Sequence, residues 1–268
     1  MQLSKNGFLL VASKTKSYLH ATQMLADSLK EFAPDHSVVL FTEDRWVDDP
    51  GNWIFDKVYG DQVPSMRSKL KALPHTPFDL TCYLDADMIC IHKDAPLVFD
   101  QIEDDWDMAW TKIRTYAAAA IWWNGRNDFH PHGGMFLYRK NDRTLSFMQQ
   151  WWENWWHLNR SDGEGISWNE AFKTHQWDRF YPYVTKIACQ GWDQFPLGLM
   201  LGVKSIKGDM WERKDIKWGY IKEKDSRWNW IEAYRHEREN VKEDEIVFRD
   251  YGTLLFKPNL YPQLRPKK

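Results

Sequence analysis

Two aspartates, Asp85 and Asp87, interrupt the apolar segment "CYLDADMIC" at residues 82–90. An isolated ionised carboxylate is costly to bury, so a buried strand normally carries apolar residues at such positions. Carboxylates at positions i and i+2 just beyond a strand end can share one divalent cation, which would neutralise a diphosphate. They can also simply cap a turn. The segment predicts one of these two arrangements, and its surroundings in the chain favour the metal site.

Other residues whose chemistry suits a charged substrate lie on both sides of this segment. Lys69, on a predicted basic helix, could bind a diphosphate as a point charge or remain a solvated side chain. The pair Gly133–Gly134 could let a substrate approach the backbone, or it could only form a tight entry to a strand. Asp193 could face the same site or cap the helix that follows it.

The elements that would position these residues alternate between strands and helices. Apolar segments that do not alternate predict strands at 7–13, 37–44, 54–60, 80–91, 107–111 and 133–142, and a final strand pair at 245–256. Helical periodicity and breaker residues predict helices at 18–32, 65–73 and 143–158, and a turn followed by a helix at 191–203. Strands without alternation are buried on both faces, so the predicted fold class is α/β, with a mostly parallel central sheet flanked by helices. Ligands of such sheets bind beyond the carboxyl ends of the strands, which is where "LDADM" lies.

Charge and composition narrow the classes of protein. Lys and Arg total 36 against 38 Asp and Glu, and this balance provides no global attraction to nucleic acid or to an anionic membrane. No segment approaches the ~20 apolar residues that a membrane span requires. The three cysteines, Cys82, Cys90 and Cys189, have neither metal-ligand spacing nor a paired framework, which favours free thiols in a reducing compartment. We therefore expect a soluble, cytoplasmic protein.

The domain organisation is predicted to be simple. The 268 residues contain no internal repeat and no low-complexity linker. We expect a single domain over 1–268, in which 1–111 binds a nucleotide sugar and 112–268 forms the acceptor side.

Four segments together resemble a known family. "YLDADM" resembles the Asp-x-Asp signature of the GT-A-fold glycosyltransferases, and "SMRSKLKAL" resembles the Lys-bearing helix that precedes it in the glycogenin and lipopolysaccharide galactosyltransferase type. "HGGMFLYRKND" and "DQFPLGLML" resemble a later strand and helix of the same type. The resemblance covers 7–142 well and 190–203 in isolation. It implies a GT-A fold and transfer of a sugar from a nucleotide diphosphate sugar.

The resemblance also implies roles for individual residues. On the donor side, it places the base and ribose against Ala12, Ser13 and Tyr18, and the diphosphate against Lys69. It makes Asp87 the principal ligand of Mn²⁺ or Mg²⁺ and lets Asp85 reach the cation or the ribose. On the sugar side, it brings the backbone of Gly133 and Gly134 close to the transferred sugar, and turns Asp193 and Gln194 toward that sugar and the acceptor.

The carboxyl-terminal part departs from this family. The glycogenin type completes its metal site with a histidine in "H-x-x-G-x-x-K-P-W", whereas this chain has "VFRDYGTLLFKP". The third metal ligand is therefore Asp250, His236 or water, and these alternatives stay open here.

The segment "WWENWW" at 151–156 contains four of the 17 tryptophans. On a helix they form two neighbouring rows, Trp151 with Trp155 and Trp152 with Trp156, about 100° apart. We predict that one row is buried and that the other is partly exposed. The exposed row would contact an acceptor or another subunit, so a homo-oligomer is one expectation.

The function predicted from the sequence is metal-dependent transfer of a sugar, most simply from a UDP-sugar, to an acceptor hydroxyl. A glycan, a lipid-linked sugar, a protein side chain and a modified nucleobase all remain as acceptors. A nucleotidyltransferase of related fold is an alternative, although the segment after the first strand, "VASKTKSY", lacks the glycines of its phosphate loop. A catalytically silent carbohydrate-binding protein is the other alternative.

Overall fold

The computed structural model describes residues 2–65, 67–114, 129–159, 193–202, 212–222, 225–231 and 241–251. The predictions that concern Cys189, His236 and the chain beyond Tyr251 lie outside these residues. The described strands are β1 (Asn6–Ala12), β2 (Ser37–Thr42), β3 (Lys57–Tyr59), β4 (Leu80–Leu84), β5 (Met88–Cys90), β6 (Met108–Arg114), β7 (Phe129–Arg139), β8 (Trp218–Tyr220), β9 (Trp230–Ile231) and β10 (Phe248–Asp250). The described α-helices are α1 (Lys16–Phe32), α2 (Lys69–Ala72), α3 (Asp142–Asn159), α4 (Gln194–Met200) and α5 (Asp225–Trp228).

The main sheet has seven strands in the order β3-β2-β1-β4-β7-β6-β8. Strand β7 runs antiparallel to both of its neighbours, while every other adjacent pair is parallel. The α/β fold with a mostly parallel central sheet is therefore confirmed. A second sheet pairs β5 with β10 and β10 with β9. The boundary that we expected between the two parts of the domain, 111/112, falls inside β6.

Helices cover both faces of the main sheet, as non-alternating strands require. On one face, Leu10 of β1 packs with Leu25 of α1 in one apolar core. On the other face, Leu9 packs in a second core with Trp151 of α3 and Leu197 of α4. Because successive strand residues point to opposite faces, β1 contributes alternately to the two cores.

Three predicted elements differ from the structure. The segment 80–91 is not one strand: β4 and β5 belong to different sheets, and the two aspartates lie in the turn between them. Strand β7 begins at Phe129, so the two glycines lie inside it rather than at its entry. The predicted helix at 65–73 contains only the four residues of α2.

In the predicted strand pair at 245–256, only β10 is a described strand, and residues from 252 onward lie outside the described part.

The two tryptophan rows of α3 separate as predicted. Trp151 and Trp155 are buried, whereas Trp156 is 43% exposed. Trp152 is partly buried, and its ring centroid lies 5.4 Å from that of Trp156. The two rings are tilted by 33° to each other, and Trp152 stacks on Trp155 of the inner row, so the exposed aromatic surface of α3 is centred on Trp156.

Asp107, which precedes β6, links this strand to the start of α3 and to β8. One carboxylate oxygen accepts hydrogen bonds of 2.8 Å from Asn141 and from Arg143, at the start of α3. The other accepts a 2.9 Å bond from the backbone N–H of Lys217, just before β8. Burial alone would raise the pKa of Asp107, but these donors outweigh it and lower the pKa.

None of the described helices combines the length and the apolar character that a membrane span needs. The two described cysteines, Cys82 and Cys90, are free and buried, as expected. Burial raises the pKa of the Cys90 thiol to about 12.

Candidate functional site

A cavity of about 100 Å³ lies at the carboxyl ends of β1 and β4. It brings together several residues that the sequence singled out, and one that it did not: Ser13, Tyr18, Lys69, Asp85, Asp87 and, newly, Arg67. Ligand pockets usually measure about 300–1,000 Å³, so this cavity accommodates only part of a nucleotide sugar. Its position is the one expected for the ligand site of an open α/β sheet.

The two aspartates occupy a turn that neighbouring strands hold in place. The backbone N–H of Asp85 donates a 2.8 Å hydrogen bond to the carbonyl of Gly134 on β7. The N–H of Met88 donates back to the Asp85 carbonyl at 3.2 Å and closes the turn. Strand β4 thus ends where both carboxylates reach the cavity, and they do not have to enter the core. Both predicted arrangements, a turn and a pair of acids at a possible cation site, are therefore compatible with the structure.

The two carboxylates have different surroundings. Tyr83 donates a 2.6 Å hydrogen bond from its hydroxyl to Asp85 Oδ1, and the Asp85 side chain is 31% exposed. Burial of the Asp87 carboxyl and the negative charge of Asp85 raise the pKa of Asp87 to about 7. Two acids this close gain from a cation between them, because each disfavours ionisation of the other.

Lys69 lies in the middle of the site. Its Nζ is 2.8 Å from the carbonyl oxygen of Gly133, 2.9 Å from Asp193 Oδ2 and 3.1 Å from Asp85 Oδ1. The residue is 5% exposed. Burial alone would lower its pKa, but the charges of Asp193 and Asp85 outweigh it and raise the pKa. Lys69 therefore joins the acid turn to Asp193 and to the backbone of β7.

Arg67 is a residue that sequence reasoning missed. Its Nε lies 3.2 Å from Asp193 Oδ1, and the side chain is 20% exposed and lines the cavity. Burial would raise the pKa of Asp193, but Arg67 and Lys69 hold it at about 2. Arg67 and Lys69 are two residues apart in "SMRSKLK", and this spacing is the signal that could have indicated two positively charged side chains acting together.

Gly133 lies against Asp193, and Gly134 lies against Asp85. A Cβ atom on Gly133 would be 3.1 Å from Asp193 Oδ2, which is a tight contact. A Cβ atom on Gly134 would be 2.6 Å from the His132 ring and 3.1 Å from Asp85 Oδ2. Glycine is needed at 134 because any other residue would displace His132 or Asp85.

Asp193 and Gln194 enter the site from a part of the chain that is remote in sequence. Asp193 immediately precedes α4, and its backbone carbonyl accepts a 2.7 Å hydrogen bond from Trp151 Nε1. Gln194 is 7% exposed, and its Oε1 has no hydrogen-bond partner among the described residues. That amide oxygen is the kind of buried acceptor that a ligand hydroxyl could satisfy.

The residues expected near the base and ribose separate into two groups. Ser13 and Tyr18 line the cavity, whereas Ala12 is fully buried in the core beneath it. The Ser13 hydroxyl lies within hydrogen-bonding distance of Glu43 Oε1, at 3.1 Å, and of the carbonyl of Val63, and its single proton can be donated to either. Glu43 also accepts from the backbone N–H of Lys14, and the sequence provided no signal for this role. Burial and the charge of Asp87 raise the pKa of Tyr18, which lines the same cavity as the two acids.

Asp250 is brought next to the acid turn by the second sheet. It lies opposite Met88 in the antiparallel pairing of β10 with β5, and the N–H of Tyr251 donates a 3.0 Å bond to the carbonyl of Asp87. Asp250 is 8% exposed. Among the described residues, however, no three His, Cys, Asp or Glu side chains are grouped as metal ligands. Asp85 and Asp87 thus supply two carboxylates, which fit a hard divalent cation. Asp250 lies on the strand that pairs with β5, next to the acid turn.

Comparison with known proteins shows the fold. No protein-family model matches the sequence, and no curated protein is significantly similar to it. The solved structure of the glycosyltransferase GlyE from Streptococcus pneumoniae TIGR4 matches with a TM-score of 0.55 and 12% identity over 92% of this chain and 55% of GlyE. This chain therefore spans about half the length of GlyE. Together with the sheet order and the acid turn, the match identifies a GT-A-type glycosyltransferase fold.

Two other structural neighbours are less similar. Mouse xyloside xylosyltransferase 1 matches with a TM-score of 0.49 and 11% identity over 91% of this chain and 97% of its own. The galactosyltransferase LgtC, solved with donor and acceptor sugar analogues, matches with a TM-score of 0.47 and 12% identity over 98% and 97%. All three neighbours are glycosyltransferases. Among them, only the match with GlyE exceeds a TM-score of 0.5, and at 12% identity it establishes the fold and not the reaction.

Proposed function

We propose that this protein is a glycosyltransferase that moves a sugar from a nucleotide diphosphate sugar, most simply a UDP-sugar, to an acceptor hydroxyl with the help of Mn²⁺ or Mg²⁺. One observation carries the proposal: a strand-end cavity in a GT-A-type fold is lined by two carboxylates and by Arg67, with Lys69 between them. This combination suits a diphosphate that is neutralised from two sides.

On the donor side, the exposed part of Arg67 is better placed than Lys69 to bind a diphosphate. Arg67 lines the cavity and its planar fork suits phosphate oxygens, whereas the ammonium of Lys69 already has three protein acceptors. Ser13 and Tyr18, on the other wall, would contact the base and ribose. Donor binding would then order this wall around the nucleotide.

The metal would be held by Asp85 and Asp87, with Asp250 or water as a further ligand. When bound, it supplies positive charge to the departing diphosphate. The residues of the chain have separate tasks: Asp87 is available as a ligand because no described cation contacts it, and Tyr83 fixes the orientation of Asp85 through its hydroxyl.

The sugar and acceptor would lie beside the start of α4, near Asp193 and Gln194. Gly133 packs against both of these residues, since a Cβ atom on it would lie 3.1 Å from Asp193 Oδ2 and 3.7 Å from Gln194 Cγ. Asp193 is held as a carboxylate by Arg67 and Lys69, so it can accept a hydrogen bond from a sugar hydroxyl at any ordinary pH. Gln194 offers its unpartnered amide oxygen to the same ligand.

Release of free nucleoside diphosphate tests the proposal. Purified protein is incubated with a panel of sugar nucleotides, with Mn²⁺ or with a chelator, and UDP and pyrophosphate are both quantified. We expect UDP release that requires the cation and is abolished by Asp87→Asn. Release of pyrophosphate instead would indicate a nucleotidyltransferase, and binding without any release would indicate a silent carbohydrate-binding protein.

A matched control separates loss of a ligand from loss of the fold. Asp105 is an exposed aspartate whose only described contact is an ion pair with Lys217, so Asp105→Asn should retain activity and cation dependence. Equal activity of Asp87→Asn and Asp105→Asn would remove the metal site from the proposal.

A further inference from the structure

The Lys69 ammonium is already surrounded by protein oxygen atoms. Lys69 has three N–H groups, and its Nζ lies within 3.1 Å of Gly133 O, Asp193 Oδ2 and Asp85 Oδ1. The side chain is 6% exposed, although it lines the cavity. In the metal-free protein, Lys69 therefore acts on other protein groups.

One of these groups is also a proposed metal ligand. Asp85 Oδ1 receives both the Lys69 ammonium and the Tyr83 hydroxyl, while part of the Asp85 side chain is exposed at the cavity. An ammonium and a divalent cation that share one carboxylate repel each other, and the repulsion is strong where water is scarce. When Asp85 binds one of these two cations, it must therefore bind the other more weakly.

We propose that Lys69 neutralises Asp85 in the metal-free protein and competes with the divalent cation for this carboxylate, so that cation binding shifts the ammonium toward Asp193 and the Gly133 carbonyl. The inference rests on the metal site of the proposed function. It makes Lys69 a positioning residue that couples the acid turn to Asp193. By thermodynamic reciprocity, whatever strengthens the Lys69–Asp193 contact also strengthens cation binding.

The competing explanation for Lys69 predicts the opposite sign. If the ammonium only holds Asp85 in the right orientation, its removal disorders the ligand and weakens cation binding. If it competes, its removal leaves a free carboxylate and tightens cation binding. A single measurement of cation affinity distinguishes the two.

Calorimetric titration with Mn²⁺ alone, without nucleotide, is the direct test. We expect Lys69→Met to bind Mn²⁺ at least about tenfold more tightly than wild type. Lys71→Met is the matched control, because Lys71 lies on the same helix but pairs with Asp61 at 3.0 Å. It should bind Mn²⁺ with nearly the wild-type affinity. Unchanged or weaker binding by a folded Lys69→Met protein would overturn the inference.

A second measurement needs no variant and decides the matter if Lys69→Met does not fold. The ammonium resonance of Lys69 is followed by NMR in isotope-labelled wild-type protein during titration with diamagnetic Mg²⁺. We expect it to move and to saturate with the cation affinity, while that of Lys71 stays unchanged. A stationary Lys69 signal in protein that binds Mg²⁺ would overturn the inference.

The two proposals fail in distinguishable ways. If wild type and Lys69→Met both bind neither cation, the metal site is absent and both are overturned. If wild type binds the cation through Asp87, as judged by Asp87→Asn, but Lys69 has no effect, only this inference fails.

Discussion

Asp193 shows how a single side chain acquires its character from its neighbours. It is 3% exposed, yet two cations, Arg67 and Lys69, keep its pKa at about 2 and the side chain ionised. A helix cap in the same place would need only backbone N–H groups. Asp193 immediately precedes a helix, but the contacts of its carboxylate with Arg67 and Lys69 dominate its environment.

This environment predicts a large loss of stability for Asp193→Ala. Removal of the carboxylate takes one acid partner from the buried Lys69 and from the partly exposed Arg67, which should cost about 3–5 kcal/mol, against about 1 kcal/mol for a lost cap. Urea unfolding measures the difference. Asp215→Ala is the control, because Asp215 pairs with Arg213 at an exposed position and should cost less than about 1 kcal/mol. Equal costs for the two variants would contradict the role of the buried triad.

At the scale of elements, α3 joins the candidate site to the surface. Trp151, from its inner row, donates a hydrogen bond to the backbone of Asp193, while Trp152 and Trp156 lie next to each other on the outer side. The same helix thus supports Asp193 and presents an aromatic surface.

The two rows should respond differently to truncation. Trp151→Ala removes a fully buried indole and its hydrogen bond, so we expect a cost of about 3–5 kcal/mol. Trp156→Ala should change stability by no more than about 0.5 kcal/mol. Thermal unfolding tests both variants, and light scattering with acceptor screening tests whether Trp156→Ala weakens self-association or acceptor use. If both variants lost the same stability and nothing else changed, the outer row would have only a packing role.

Asp107 predicts how the junction of β6, β8 and α3 depends on pH. Its pKa is lowered in the folded protein, so its contribution to stability is full above the unfolded value of about 3.9 and is lost as the pH falls through the folded value. We expect Asp107→Asn to be less stable than wild type at neutral pH and to lose less on acidification. Urea unfolding between neutral and acidic pH measures how the free energy of unfolding of each protein depends on pH. The same pH dependence in the two proteins would show that Asp107 is not titrating as described.

At the scale of the whole molecule, ligand binding should appear as added stability, because a ligand that binds only the folded chain shifts the unfolding equilibrium. At about 100 times its dissociation constant, UDP with Mn²⁺ should raise Tm by about 5–10 °C. UDP or Mn²⁺ alone should raise it less, and their separate shifts should not sum to the combined one. A combined shift equal to that sum would indicate two independent sites.

The sequence by itself was sufficient for features that depend on local pattern. Apolar strands without alternation require a sheet that is covered on both faces, and this determined the α/β class and the location of Asp85 and Asp87 at a strand end. The 100° separation of the tryptophan rows follows from helix geometry, so the inner and outer rows of α3 could be predicted before any packing was known.

Only the tertiary structure decided which charges meet. The break between β4 and β5 depends on a hydrogen bond from Asp85 to Gly134 and on the pairing of β5 with β10, and both partners are remote in sequence. Lys69 was expected at a diphosphate, but its neighbours are Asp85, Asp193 and the Gly133 carbonyl. A solvated lysine and a buried one have the same local pattern. What separates them is the desolvation of the ammonium and the carboxylates that compensate for it, and these exist only once the chain has folded.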